Sequence, residues 1–138
     1  MTVSSQSSYS AWNVGDTAQL FHSFTFSEIL AFVTLTGDEN PLHRENAAEK
    51  RDQALVPGAM LSGLAIGVVG SRFPGPGSIL LQQECTYHLP VYSGEAITLT
   101  LAMVQKEDRK RHLSIAVTCE SEQHEQVMSG TIVVKMRK

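Results

Sequence analysis

Apolar positions follow a helical spacing in the first half of the chain and an alternating spacing in the second half. Residues 17 to 23 alternate and predict a short leading strand. Thr25 and Glu28 form a capping-box pattern, in which each side chain bonds the backbone N–H of the other residue. The apolar residues that follow recur at helical spacing: Phe26, Ile29, Leu30 and Val33. Gly37 supplies a left-handed stop, so the pattern predicts a helix over residues 26 to 36.

A second helix is predicted from Gly58 to Gly70, directly after Pro57, and its composition differs from that of the first. It contains no charged residue, and a helix that is apolar on all sides is typical of a protein interior. Its small residues would let a sheet pack closely around it: Gly58, Ala59, Ser62, Gly63, Ala65 and Gly67. Residues 44 to 53 are polar and predict an exposed short helix or loop. The prolines and glycines of residues 73 to 77 end the second helix.

The second half of the chain predicts strands that are separated by short polar breaks. The strand-like runs cover residues 79 to 89, 96 to 106, 111 to 120 and 126 to 136. Helix-rich and strand-rich halves indicate an α+β fold, in which a long antiparallel sheet wraps a central apolar helix. Such a unit leaves strand edges unpaired, so we expect two subunits to pair edge to edge, as a homodimer or within a dimer of dimers.

Length and composition indicate one domain over residues 1 to 138, of which the polar, serine-rich residues 1 to 10 are expected to be flexible. The formal net charge of -3 argues against a nucleic-acid partner. No segment has the pattern of a membrane span or a signal peptide, so no membrane partner is expected. Cys85 and Cys119 fall in predicted strands, where buried, reduced thiols are typical of a cytoplasmic protein. No cluster of potential ligands has metal-binding spacing.

The candidate chemistry lies in residues 37 to 43, Gly-Asp-Glu-Asn-Pro-Leu-His, directly after the first predicted helix. Pro41 fixes its own φ and keeps Asn40 out of the helical conformation. Asn40 can also bond the backbone in a local turn. The bend would therefore hold the Asp38 carboxylate and the His43 imidazole at a fixed separation, as proton transfer requires. The alternative is that these residues only end the helix and that His43 lies on the surface.

The start of the second helix offers another chemical element. Its first backbone N–H groups have no partner within the helix and lie at the positive end of the helix dipole. Gly58 has no side chain, so a carbonyl oxygen could approach, and preorganised donors of this kind stabilise an enolate oxyanion. The alternative is that glycine is needed only because the helix start is crowded. The remaining histidines have no acidic partner in local register and are expected to be structural or exposed: His22, His88, His112 and His124.

These segments together resemble the MaoC-like, hot-dog-fold (R)-specific enoyl-CoA hydratases and the related 3-hydroxyacyl thioester dehydratases. The matching segments cover residues 35 to 43, 57 to 61, 73 to 78 and 89 to 95. The resemblance implies a hydro-lyase that reversibly hydrates a trans-2-enoyl thioester to the (R)-3-hydroxyacyl thioester. It implies an acyl-CoA or acyl-carrier-protein thioester as the substrate. No metal or redox cofactor is implied, because the thioester already acidifies C2.

The resemblance also assigns roles to residues. Asp38 and His43 would be the catalytic pair, Asn40 would orient them, and the amide of Gly58 would bind the thioester carbonyl. We expect the pocket between the Asp38–His43 bend and the start of the second helix, with a second subunit able to complete it.

The chain departs from the family pattern close to these residues. Pro57 stands where members usually have a histidine, and Ile66 stands where many have a polar residue. The segment between His43 and Pro57 is also shorter than usual, which bears on the acyl chain that is accepted. The alternative functions on the same fold are a thioesterase, in which one carboxylate activates water, and a non-catalytic module that binds acyl thioesters.

Overall fold

The computed structural model describes residues 8 to 44 and 53 to 138. Its regular elements, in chain order, are β1 Thr17–Ser23, α1 Phe26–Thr36, α2 Gly58–Ser71, β2 Ser78–Tyr87, β3 Ala96–Glu107, β4 His112–Ser121 and β5 Gln126–Met136. Short 3-10 turns are present at Tyr9–Ala11 and Pro41–His43. The helices and strands predicted from the sequence are therefore confirmed, with small shifts at their ends. The predicted exposed helix or loop over residues 44 to 53 lies almost wholly outside the described residues.

The strands form one antiparallel sheet in the order β1-β3-β4-β5-β2. The polar breaks predicted after β3 and β4 close two hairpins, and each contains a non-glycine residue at positive φ, Arg111 at 56° and His124 at 62°. β1 and β2 are the edge strands of the sheet, although each precedes the hairpins in the chain. The predicted α+β fold with a long antiparallel sheet is confirmed.

The core lies between α2 and one face of this sheet. β3 and β4 alternate between buried and partly exposed residues, so each strand contributes one apolar row to the core. These rows are Ile97, Leu99, Leu101 and Met103 on β3, and Leu113, Ile115, Val117 and Cys119 on β4. α2 adds Met60, Leu61, Ala65, Val68 and Val69 to the same cluster. Because burial of one large aliphatic side chain contributes about 1.5–3 kcal/mol, these rows supply much of the stabilisation.

The expectation that α2 is buried on all sides is wrong within one chain, since Ala59, Gly63, Gly67 and Gly70 are exposed. α1 is also covered on one side, because Ile29 is buried whereas Leu30 is 51% exposed. The reason is geometric, because the sheet of one chain covers only the side of a helix that faces it. An apolar sequence shows that a helix avoids water, but not that a single chain encloses it.

Tyr9 is buried and attaches the N-terminal segment to the rest of the chain. The predicted flexibility of residues 1 to 10 falls mostly on residues 1 to 7, which lie outside the described residues. The Tyr9 hydroxyl donates to Asp108 Oδ1 at 2.6 Å, and its N–H donates to the carbonyl of Lys138 at 2.7 Å. Lys106 Nζ lies 4.3 Å from the centre of the Tyr9 ring and donates to the carbonyl of Trp12 at 2.6 Å. Burial and the hydrogen bond to Asp108 raise the pKa of Tyr9 to about 12.

Candidate active site

Both ends of α1 are fixed by local interactions, and the C-terminal end positions Asp38. At the start, the Thr25 side chain accepts from the N–H of Glu28, and the Glu28 carboxylate accepts from the N–H of Thr25, so the predicted capping box is confirmed. At the end, Gly37 is left-handed with a φ of 75°. The N–H groups of Gly37 and Asp38 both donate to the carbonyl of Val33, at 2.9 and 3.1 Å. These bonds fix the direction in which the chain leaves the helix at Asp38.

Consecutive side-chain turns shape the bend that follows. Asp38 Oδ1 accepts from the N–H of Asn40 at 2.9 Å, and Asn40 Oδ1 accepts from the N–H of Leu42 at 3.1 Å. Pro41 begins the 3-10 turn that ends at His43, as its fixed φ allows. The predicted local turn at Asn40 is confirmed. The bond that Asn40 accepts from the N–H of Leu42 shapes the backbone of the bend. It gives a physical basis for the orienting role of Asn40, which stays a prediction.

The bend brings the candidate catalytic side chains together. His43 Nε2 lies 3.4 Å from Asp38 Oδ2, with 10% of the histidine side chain and 35% of the aspartate side chain exposed. His43 Nδ1 also lies 2.7 Å from the carbonyl oxygen of Leu55. The alternative that His43 is a surface residue is therefore wrong. A shielded imidazole and a partly exposed carboxylate at this distance can together bind one water molecule that lies beside both and exchange protons with it.

Leu55 connects this pair to the start of α2. Its N–H donates to the carbonyl of Leu42 at 2.8 Å, and its carbonyl contacts His43. Leu55 also lines a cavity of about 310 Å³ together with Gly58, at the start of α2. The other lining residues are Val56, Leu61, Tyr87, His88, Leu89, Pro90 and Val91. Asp38 and His43 are not among these lining residues, and Leu55, which lines the cavity and contacts His43, connects the two.

Gly58 is crowded by Tyr87. A Cβ atom on Gly58 would lie 3.1 Å from Cε1 of Tyr87 and 3.2 Å from two further ring atoms. The interpretation that glycine is needed for space therefore has direct support. The N–H of Gly58 nevertheless lies in the first turn of α2, where the helix supplies no acceptor. The two interpretations of Gly58 are compatible, and its role as an oxyanion donor stays a prediction.

The prediction that the other histidines lack acidic partners is wrong at two positions. His22 Nε2 lies 3.5 Å from Glu28 Oε2, and His124 Nδ1 lies 3.5 Å from Glu120 Oε2. Both contacts arise where the chain reverses, at the β1–α1 turn and the β4–β5 hairpin, so strand register alone did not reveal them. Both pairs lie outside the Asp38–His43 bend.

The thiols and potential metal ligands add no second reactive centre. Cys119 is fully buried and Cys85 is partly exposed, so the prediction that both thiols are buried holds for Cys119 alone. Burial raises the pKa of the Cys119 thiol to about 12, which keeps it protonated and unreactive. Within residues 8 to 44 and 53 to 138, no three His, Cys, Asp or Glu side chains are close enough together to hold a metal ion.

Sequence reasoning missed the contributions of Leu55 and Tyr87. Leu55 acts through its backbone carbonyl, which every residue type possesses, so no sequence signal could have identified it. Tyr87 ends a strand that is far from Gly58 in sequence, and an aromatic residue in a predicted strand is ordinary. Both contacts depend on the tertiary fold.

Comparison with known proteins identifies the family. No protein-family model matches the chain. The chain is 30% identical over 128 residues to the 3-hydroxybutyryl-CoA dehydratase of Methylorubrum extorquens, a match that covers 91% of this chain and 81% of that protein. It is 30% identical over 126 residues to an (R)-specific enoyl-CoA hydratase of Aeromonas caviae, covering 89% of this chain and 94% of the relative.

A solved structure shows the same fold. The (R)-hydratase from A. caviae involved in PHA biosynthesis matches with a TM-score of 0.84 at 30% identity, covering 91% of this chain and 98% of the other. The chain therefore belongs to the MaoC-like family of (R)-specific enoyl-CoA hydratases and 3-hydroxyacyl thioester dehydratases, with the hot-dog fold. The predictions of family, fold and enzyme class, a hydro-lyase, are confirmed. The roles of individual residues stay predictions.

Proposed function

We propose that the protein reversibly adds water to a trans-2-enoyl-CoA and forms the (R)-3-hydroxyacyl-CoA. The observation that carries the proposal is the approach of Asp38 Oδ2 to His43 Nε2 at 3.4 Å, with the imidazole only 10% exposed. Binding alone gives no reason to keep two titratable groups side by side in a shielded bend. Membership of the hydratase and dehydratase family supports the same chemistry.

In the proposed reaction, Asp38 and His43 bind one water molecule. One of the two groups takes a proton from the water as its oxygen forms the bond to C3, and the other delivers a proton to C2. As the bond to C3 forms, the electron pair of the C2–C3 double bond shifts towards the thioester carbonyl and gives an enolate. The enolate oxygen accepts a hydrogen bond from the N–H of Gly58 until C2 is protonated. Asn40 holds the bend in shape throughout. The thioester makes C2 acidic enough that the reaction requires no cofactor.

CoA is the carrier that we propose, because the relatives that match most of both chains are named for CoA substrates. Two relatives that match over a smaller share of their own length are named for acyl-carrier-protein substrates, so that carrier is the alternative. No helix among the described residues is long and apolar enough to span a bilayer. The proposed location is the cytoplasm, and two free cysteines, Cys85 and Cys119, are consistent with a reducing compartment.

We further propose that the working form is a homodimer paired along β2, alone or within a dimer of dimers. β2 is an edge strand, and its exposed residues include Ile79, Leu80 and Leu81, each 46–48% exposed. Glu84 is the only charged residue in the strand, which contains no proline or lysine to prevent pairing. A ten-residue edge strand with an exposed apolar run at residues 79 to 81 favours pairing with an identical strand across a twofold axis.

The test follows the loss of enoyl-thioester absorbance with crotonyl-CoA, for wild type and Asp38→Asn. The variant keeps an oxygen that can accept from the N–H of Asn40, so the bend should survive while the carboxylate is lost. We expect an activity loss of about a hundredfold or more, and an (R) product from wild type. Asp16→Asn is the matched control, because Asp16 accepts from the N–H of Asn13 at 2.9 Å in an exposed turn before β1.

Two outcomes would replace the proposal. If wild type hydrates neither crotonyl-CoA nor longer and carboxylated enoyl-CoAs, the non-catalytic binding module becomes the better account. If His43→Gln keeps activity, Asp38→Asn loses it and free CoA is released, the protein is a thioesterase. The hydratase proposal requires comparable losses in both variants, because it uses the two groups jointly.

A further inference from the structure

The carbonyl of Leu55 determines which nitrogen of His43 carries the proton in the neutral ring. His43 Nδ1 and the Leu55 oxygen lie 2.7 Å apart. A carbonyl oxygen can only accept a hydrogen bond, so Nδ1 must be the donor. A neutral imidazole has one N–H, so Nε2, which lies 3.4 Å from Asp38 Oδ2, has a free lone pair. Because the side chain is 10% exposed, water competes little for Nδ1.

This tautomer has a chemical consequence at the proposed site. A neutral Nε2 accepts a hydrogen bond from the bound water molecule and can take its proton as the water oxygen forms the bond to C3. Asp38 is then the acid of the pair: it carries the proton that is delivered to C2, and it recovers a proton from the imidazolium afterwards. The opposite tautomer would carry its hydrogen on Nε2, donate it to Asp38 and leave no acceptor nitrogen on that side of the ring.

Backbone hydrogen bonds hold the Leu55 carbonyl in place. Leu55 forms an isolated antiparallel bridge with Tyr92, outside the main sheet. The N–H of Val56 donates to the carbonyl of Val91 at 2.8 Å, and the N–H of Leu55 donates to that of Leu42 at 2.8 Å. The carbonyl that contacts His43 is therefore positioned by the link between β2 and β3.

Two side chains complete this attachment. The Ser93 hydroxyl accepts from the N–H of Ala54 at 3.0 Å, and the N–H of Ser93 donates to the Ala54 carbonyl at 2.8 Å. Gln53 Nε2 donates to the Ser93 carbonyl at 2.8 Å. Ala54 is fully buried. Without the hydroxyl its N–H would lose its acceptor, so the segment that contains Leu55 would have to shift.

We propose that Ser93 and Gln53 are positioning residues for His43. They hold the Leu55 carbonyl on Nδ1 and so keep the imidazole in the tautomer whose Nε2 faces Asp38 as an acceptor. The kinetic consequence of this arrangement rests on the proposed hydratase function. The tautomer itself does not, and it can be observed in the protein without substrate.

The test combines ¹⁵N NMR of histidine-labelled protein with kinetics. In the neutral ring of His43, wild type should show a protonated Nδ1 and an unprotonated Nε2. Ser93→Ala and Gln53→Met should each show a mixture of tautomers. Because a small misplacement of a catalytic group lowers the rate of the chemical step, we expect Ser93→Ala to lower kcat with crotonyl-CoA about tenfold, with little change in KM. Ser93→Thr, which keeps the hydroxyl, should restore both the tautomer and kcat.

Ser78→Ala is the matched control, since it removes a partly buried hydroxyl that bonds the carbonyl of Gly75 at 2.8 Å, far from His43 in the chain. It should leave the tautomer and kcat unchanged. An unmixed wild-type tautomer in both Ser93→Ala and Gln53→Met overturns the proposal, even if kcat falls. If Ser93→Ala does not fold, the tautomer of His43 in Gln53→Met decides the proposal by itself. If wild type lacks hydratase activity, the function is wrong, but the NMR result still tests the positioning.

Discussion

Replacing Gly58 with alanine separates the two interpretations of this residue. The backbone N–H that is proposed to bind the enolate oxygen remains in Gly58→Ala, and only a methyl group is added. That methyl group would lie 3.1 Å from the Tyr87 ring, which is closer than an ordinary contact. Either the ring or the start of α2 must therefore move. We expect the move to reduce both stability and activity.

The expected size follows from the surroundings. Overpacking costs about 1–3 kcal/mol, while alanine in place of glycine within a helix returns up to about 1 kcal/mol. Tyr87 is 45% exposed, so its ring can yield outward and the cost lies near the lower end. We expect a net destabilisation of at most about 1 kcal/mol. Because loss of one oxyanion donor costs about 10²–10³ in kcat, partial displacement of this donor should lower kcat about tenfold.

A double-mutant cycle with Tyr87→Ala provides the assay. Urea unfolding and crotonyl-CoA hydration are measured for wild type, both single variants and the double variant. If crowding transmits the damage, Gly58→Ala costs much less when Tyr87 is already alanine. Gly63→Ala is the control in the same helix, because its Cβ would meet nothing within 4 Å. Equal costs in the two Tyr87 backgrounds would refute the reasoning.

Three further predictions test the edge, the core and the N-terminal anchor. Leu81→Asp on edge strand β2 should yield monomers in analytical ultracentrifugation, whereas Val104→Asp on the inner strand β3 should not, although both residues are 48% exposed. The folded state raises the pKa of Cys119 from 9.0 to about 12. The stability that the folded state gains by keeping this thiol protonated is therefore fully present below pH 9 and is lost as the pH rises. The free energy of unfolding should fall by about 1 kcal/mol between pH 9 and pH 10. Cys119→Ala should show a shallower fall in urea titrations, and an equal slope would contradict the assignment. Lys106→Met removes a cation that bonds the Trp12 carbonyl at 2.6 Å, so it should cost about 1–3 kcal/mol in urea unfolding, against almost none for the exposed Lys110→Met.

Local interactions explain what could be predicted around the site. The capping box of α1, the left-handed Gly37 and the turn at Asn40 each join residues that are close in the chain. Such contacts form wherever the segment folds, so the sequence determines that Asp38 and His43 share one rigid bend. The same argument covers the strands, because alternation and short polar breaks are local properties. The number, order and approximate bounds of these elements followed from the pattern alone.

The tertiary structure decided what surrounds that bend. The Leu55 carbonyl that fixes His43, the Tyr87 ring against Gly58 and the exposed glycine face of α2 all depend on which segments meet in space. Residue type carries little information about such contacts, since a carbonyl is common to every residue and an apolar helix can be covered on one side or on all sides. The sequence by itself determined the family and the fold class, and it indicated Asp38 and His43 as the candidate proton-transfer pair. The burial of His43, the contact of its ring with the Leu55 carbonyl and the space around the proposed oxyanion donor were decided by long-range packing, because each depends on atoms that the folded chain brings together from distant positions.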